Sequence, residues 1–130
     1  MVILKELSKT YARGEAIVAA LQDVNLEIRS GEFCAFVGPS GCGKSTLLNL
    51  IAGLDSPTSG EILLDGRSTT HLTSAEWTQL RRELIGIVFQ AFHLVHGLTA
   101  EENVALPLML RGETGAAVST RVEEMLHLVG

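Results

Sequence analysis

The chain opens on alternation. Val2–Leu7 and Leu21–Ile28 each show partial alternation of apolar and polar positions, as in Leu26-Glu27-Ile28, and predict half-buried strands of an antiparallel piece. Ser30-Gly31 marks a turn. Glu32–Val37 (EFCAFV) is nearly unbroken apolar sequence after its first residue, the pattern of a strand covered on both faces in a parallel sheet. Leu84–Phe89 (LIGIVF) repeats that pattern, ends at Gln90 and is placed in the same sheet. Glu61–Asp65 followed by Gly66 predicts a further strand closing in an Asp-Gly turn.

Helical spacing alternates with these strands. Leu47, Leu48, Leu50 and Ile51 mark the buried face of a helix that Gly53 can end. Thr73 and Glu76 have capping-box spacing and start a short helix carrying Trp77, Leu80 and Arg81. Thr99 and Glu102 repeat that spacing and start a helix that Pro107 would kink or end. Val118, Val122, Met125, Leu126 and Val129 form a last helical stripe.

Composition narrows the classes of function. With 46% apolar residues, the 130-residue chain has enough aliphatic material for a core. Its net charge of -5 argues against nucleic acid or an anionic membrane surface as a partner, and 5% aromatic content leaves few platforms for stacking bases. No internal repeat or low-complexity run appears. Cys34 and Cys42 fit neither a disulfide framework nor zinc spacing and are expected to be buried or incidental thiols. No leader opens the sequence, and the longest apolar runs are too short to cross a bilayer. A cytoplasmic protein is expected, with any membrane role exercised through a separate membrane partner.

One segment carries specific chemistry. Residues 38 to 45 read GPSGCGKS: a glycine, four free positions, then glycine, lysine and serine. Triphosphate oxygens are best held by several backbone N–H groups converging on one concavity, and Gly38, Gly41 and Gly43 let the chain curl that closely. Pro39, Ser40 and Cys42 fill the free positions. A helix starting near Lys44 points its partly positive N-terminus at the same phosphates. Lys44 supplies a mobile cation, Ser45 a hydroxyl for Mg²⁺, and Thr46 a second hydroxyl toward the α-phosphate. The motif lies between an apolar strand and an amphipathic helix, the context such a loop requires. His93 and His96 have no third ligand beside them and read as loop or surface residues rather than a metal pair.

Beyond that loop, the runs STLLNLIAGLDSPTSGEILLDG (Ser45 to Gly66) and IGIVFQ (Ile85 to Gln90) resemble the first half of an ATP-binding-cassette domain, the motor subunit of ABC transporters. The resemblance covers essentially all 130 residues. Arg81-Arg82-Glu83 and LTAEENVALPL (Leu98 to Leu108) are similar to the branch serving lipoprotein release, macrolide export and antimicrobial-peptide export.

The resemblance implies an α/β fold: a P-loop NTPase (RecA-like) parallel core, an N-terminal antiparallel β subdomain and the start of a helical subdomain. Residues 1–30 and 58–70 would form the antiparallel part, 31–57 and 71–90 the P-loop core, and 91–130 the start of the helical part. Tyr11 matches the aromatic that stacks on adenine. Gln90 matches the glutamine whose amide reaches Mg²⁺ or the attacking water, so that Lys44 and Gln90 would serve catalysis and Ser45 and Gln90 would hold the metal. Residues 91 to 98 would form part of the surface that receives the transporter's coupling helix.

The same resemblance implies ATP and Mg²⁺ as ligands, a transmembrane permease subunit as partner, and homodimerisation of the intact domain. It places the protein on the inner face of the plasma membrane, without direct insertion. Nothing in the sequence matches the segment LSGGQ, the aspartate-ended strand, the adjacent catalytic glutamate or the switch histidine, so the chain is expected to be an amino-terminal fragment. The alternative is a non-hydrolysing module that docks on a membrane partner. A P-loop kinase or GTPase is disfavoured, since no Asn-Lys-x-Asp run occurs.

Overall fold

The computed structural model describes residues 1–14 and 16–130. The element order is β1 (Val2–Arg13), β2 (Ala16–Ile28), α1 (Lys44–Ile51), β3 (Ser59–Leu64), β4 (Arg67–Ser68), α2 (Ser74–Leu84), α3 (Ala100–Leu110) and α4 (Ala116–Val129). The chain divides into two compact units, Met1–Ile85 and Gly86–Gly130.

The first unit is built on a four-stranded antiparallel sheet in the order β2-β1-β3-β4. Leu4 and Leu7 on the central strand are both fully buried although they stand three positions apart. Strict alternation would send them to opposite faces. A register shift between them, with Glu6 at φ 48, absorbs the extra residue and returns Leu7 to the inner side. Side chains supply what the ladder loses there: the Glu6 amide donates to Asn25 Oδ1 at 2.9 Å and the Asp23 amide to Ser8 Oγ at 2.9 Å.

Ile62 and Leu64 of β3, Leu21 of β2, Leu47 and Leu50 of α1, and Leu80 of α2 complete this core. Burying each such side chain contributes about 1.5–3 kcal/mol, which outweighs what any one exposed polar contact supplies. The Asp65-Gly66 turn joins β3 to β4 with both residues at positive φ, 47 and 79, as a two-residue hairpin turn requires. On α1 the buried face is narrower than the sequence predicts: Leu47 and Leu50 are inside, Ile51 is half-buried, and Leu48 is exposed.

The expected parallel strands are the main correction. Neither 32–37 nor 85–89 forms a ladder, and Leu84 belongs to α2. An apolar strand persists only when a neighbour takes its backbone N–H and C=O groups, and none does so among the described residues. Phe36 still packs against the core, whereas Phe33, Val37 and Val88 are 95%, 93% and 100% exposed. Cys34 and Cys42 are likewise exposed rather than buried.

Both capping boxes form. Thr73 Oγ1 accepts from the Glu76 amide while the Thr73 amide donates to Glu76, and Thr99 and Glu102 repeat the arrangement. In the second unit, α3 runs through Pro107 to Leu110 instead of ending there. A proline removes one i→i−4 donor and crowds the preceding turn, and the helix absorbs that loss. α3 packs against α4, burying Val118 and Val122 with Met125 and Leu126 half-buried. Val129, predicted in the same stripe, is 84% exposed at the last turn. Among the described residues no helix is long and apolar enough to cross a membrane.

Candidate nucleotide-binding site

The loop 38–45 leads directly into α1, whose first residue is Lys44. Gly43 caps the helix in the left-handed region at φ 93, with no side-chain cap bond. A Cβ at this position would lie 2.5 Å from the carbonyl oxygen of Ala20 on β2, so only glycine lets loop and hairpin approach so closely. The first helical turn leaves the amides of Lys44, Ser45 and Thr46 without intrahelical acceptors. Ser40, Gly41, Gly43, Lys44, Ser45 and Thr46 line one open concavity of about 490 Å³, with Ala20 forming its wall on the hairpin side. A helix N-terminus with its unpaired amides, a lysine and three hydroxyl-bearing residues, Ser40, Ser45 and Thr46, thus line one space, a set suited to a polyanion.

Lys44 Nζ donates to the carbonyl oxygens of Gly38 and Pro39 at 2.8 and 2.7 Å. The lysine therefore reaches back across the whole loop. Cys42 Sγ stands 3.5 Å from the same ammonium. Lys44 and Thr46 are half-buried and Ser45 is exposed.

Tyr11 stands on β1 opposite Val18, two residues from Ala20. That places it about 7 Å along the strand from the concavity's wall. Its ring is held from two sides: the hydroxyl donates to Asp55 Oδ2 at 2.7 Å, and Lys9 Nζ lies 4.8 Å from the ring centroid. Lys9 also pairs with Asp55 Oδ1 at 2.6 Å and donates to the Ser56 carbonyl at 2.6 Å. Burial opposes ionisation of Asp55. Hydrogen bonds from Lys9, Tyr11 and the Ser56 amide, together with the Lys9 charge, outweigh it and hold the carboxyl below the usual aspartate range.

The sequence pointed to Tyr11 but not to Lys9 or Asp55. Lys9 had a readable signal, because positions two apart on a strand share a face. Asp55 lies 44 residues from Tyr11 and no local pattern links them.

Gln90 lies in the second unit, exposed at a bend after 85–89. Behind it Phe89 and His93 rings approach to 4.4 Å, and His93 Nδ1 stands 2.6 Å from the Ala91 carbonyl oxygen. Among the described residues no cluster of three His, Cys, Asp or Glu side chains is arranged for a metal. Ser45 offers a hydroxyl, a ligand of the hard type that suits Mg²⁺ when phosphate oxygens supply the charge.

Residues 21–130 match the family model described as ABC transporter. The chain belongs to the ABC transporter family. An uncharacterized ABC transporter ATP-binding protein of Methanocaldococcus jannaschii is 46% identical over 130 residues, covering 100% of this chain and 58% of the relative. The macrolide export ATP-binding/permease protein MacB of Mannheimia succiniciproducens is 42% identical over 127 residues, 98% of this chain and 20% of its own length. A solved ATP-binding cassette, a dimer in a post-hydrolysis state bound to ADP and Pi, matches with a TM-score of 0.92 at 49% identity. That match covers 98% of this chain and 56% of the solved one, so the chain has the P-loop fold of ABC cassettes over a little more than half their span.

Proposed function

We propose that this chain carries the phosphate-binding half of an ATP site in an ABC transporter motor. The observation that carries the reading is the concavity at the N-terminus of α1, where Lys44, Ser45 and Thr46 meet the loop backbone in a geometry suited to a triphosphate. Lys44 would exchange the carbonyls of Gly38 and Pro39 for phosphate oxygens, a stronger class of acceptor. Gly38, Pro39, Ser40, Gly41, Cys42 and Gly43 would supply the backbone of the cradle. Ser45 would hold Mg²⁺, which neutralises charge on the phosphates, and Tyr11 would stack on the base.

In the whole protein, ATP binding and hydrolysis would drive export or lipoprotein release through a transmembrane permease subunit, with two motor domains acting as a dimer. The proposed position is peripheral on the inner face of the plasma membrane. Phe92, Leu94 and Val95 support a docking role for the segment after Gln90, being 90%, 57% and 47% exposed. The same exposure favours a second reading, a non-hydrolysing module that docks on the membrane subunit and regulates it. Capture of the permease in the absence of nucleotide favours the module; capture that requires ATP favours the motor.

The first test is calorimetric. Lys44→Ala should reduce the affinity of this chain for Mg²⁺-ATP at least about tenfold, since it removes a charge-assisted contact to phosphate. Unchanged affinity would sink the assignment of the concavity. In a protein of the relatives' full length, the same substitution should abolish phosphate release.

A further inference from the structure

Tyr11, Lys9 and Asp55 come together from two distant parts of the chain, and each contact among them constrains the same ring. The hydroxyl is fixed to one carboxylate oxygen of Asp55, and the ammonium of Lys9 bridges the other oxygen and one ring face. Lys9 is largely withdrawn from solvent, with a side-chain exposure of 12% against 30% for Asp55. A surface ion pair of ordinary mobility would not fix a ring; this one is sheltered and has three converging bonds.

Asp55 also sits at a telling place. It follows the C-terminal end of α1, where the amides of Leu54 and Asp55 donate to the Asn49 carbonyl at 2.9 and 3.4 Å. The other end of that eight-residue helix lines the concavity. α1 therefore acts as a strut of about 12 Å with the phosphate cradle at one end and the anchor of the Tyr11 ring at the other. Neighbouring bonds reinforce the link: the Thr58 amide donates to the Ser8 carbonyl at 2.9 Å, and the Thr10 amide to Thr58 Oγ1 at 3.0 Å.

We propose that Lys9 and Asp55 are positioning residues that hold Tyr11 as a one-sided stacking platform, at fixed distance from the phosphate cradle, for the base of a bound nucleotide. The proposal rests on Tyr11 being the base-stacking residue and extends it. With Lys9 over one face, the opposite face is left for the base. Fixing the ring before binding removes the ordering cost that a free side chain would incur on association.

The experiment compares the affinities of this chain for ATP and for inorganic tripolyphosphate, which shares the phosphates and lacks the base. Tyr11→Ala should lower the ATP affinity roughly tenfold and leave tripolyphosphate unchanged. Asp55→Asn and Lys9→Met should lower ATP affinity about threefold to tenfold in the same selective way. Tyr11→Phe, which keeps the ring but not its anchor, should match Asp55→Asn rather than Tyr11→Ala. In a Tyr11→Ala background, Asp55→Asn should have no further effect.

A ratio of the two affinities that stays at the wild-type value in Asp55→Asn overturns the proposal, as does an equal loss for both ligands. If Tyr11→Ala itself leaves the ratio unchanged, the stacking assignment of Tyr11 has failed and the proposal falls with it. A ligand-free measurement stands beside these. Tyr11 is the chain's one tyrosine, so its ring relaxation can be followed by NMR without ambiguity. The ring should gain mobility in Asp55→Asn, and a ring equally ordered in both proteins would refute the positioning role.

Discussion

The indole of Trp77 lies against the α-carbon of Gly53, so closely that a Cβ added at Gly53 would fall 2.2 Å from Trp77 Cε3. Gly53 follows the end of α1 at φ 63, and Arg81 Nη1 donates to its carbonyl at 2.8 Å. One glycine therefore ends the helix and seats α2. Gly53→Ala should destabilise the chain by about 2–4 kcal/mol, combining left-handed strain with the steric clash. Denaturant unfolding of Gly53→Ala, Trp77→Ala and the double variant checks this. The double variant should lose markedly less than the sum of the two, because removing the indole relieves the clash.

Asp55 predicts an acid sensitivity with a definite sign. Its folded carboxyl binds a proton less readily than the usual aspartate at 3.8, so the unfolded chain takes up more protons in this range. The stabilisation is present above the unfolded value and is lost as pH falls through the folded one. Asp55→Asn should flatten the fall in unfolding midpoint below about pH 4. Equal slopes for the two proteins would show that the Lys9–Asp55 pair adds nothing to folding.

Asn103 clamps the loop that precedes α3. Its Oδ1 accepts from the Val95 amide at 2.8 Å, and its Nδ2 donates to the carbonyls of Val95, Leu98 and Thr99 at 3.3, 3.2 and 2.9 Å. Asn103→Ala should raise hydrogen exchange at the Val95 amide by roughly tenfold, as for loss of a bond worth about 1 kcal/mol and the order it imposes. Asn103→Asp keeps the acceptor and should retain more of that protection than Asn103→Ala.

Phe33 and Val88 bury almost nothing. Replacing them with Glu and Lys should leave the unfolding midpoint within about 0.5 kcal/mol of the parent, as for other surface positions. It should also reduce self-association, since exposed apolar segments invite pairing. Light scattering at rising concentration measures the second effect. A large loss of stability would mean that these side chains are packed in solution.

Thr73→Ala and Thr99→Ala should each cost about 1 kcal/mol, with lower helix content by circular dichroism. Both boxes were legible because capping depends on a donor and acceptor three residues apart, which the chain carries with it wherever the helix packs.

Local chemistry was what the sequence determined by itself. The glycine-rich loop leading into a helix at Lys44, the Asp65-Gly66 turn, the antiparallel start and the two capping boxes depend on neighbours a few positions apart. Tertiary structure decided what depends on distant partners. Leu4 and Leu7 share a face because of a register shift between β1 and β2, and 32–37 stays unladdered although its apolar run reads as a buried strand. A strand is a relation between two segments, and periodicity describes only one of them. The setting of Tyr11 was hidden for the same reason: its hydrogen-bond partner, Asp55, comes from beyond the far end of the helix that begins at the glycine-rich loop, and only folding brings the two together.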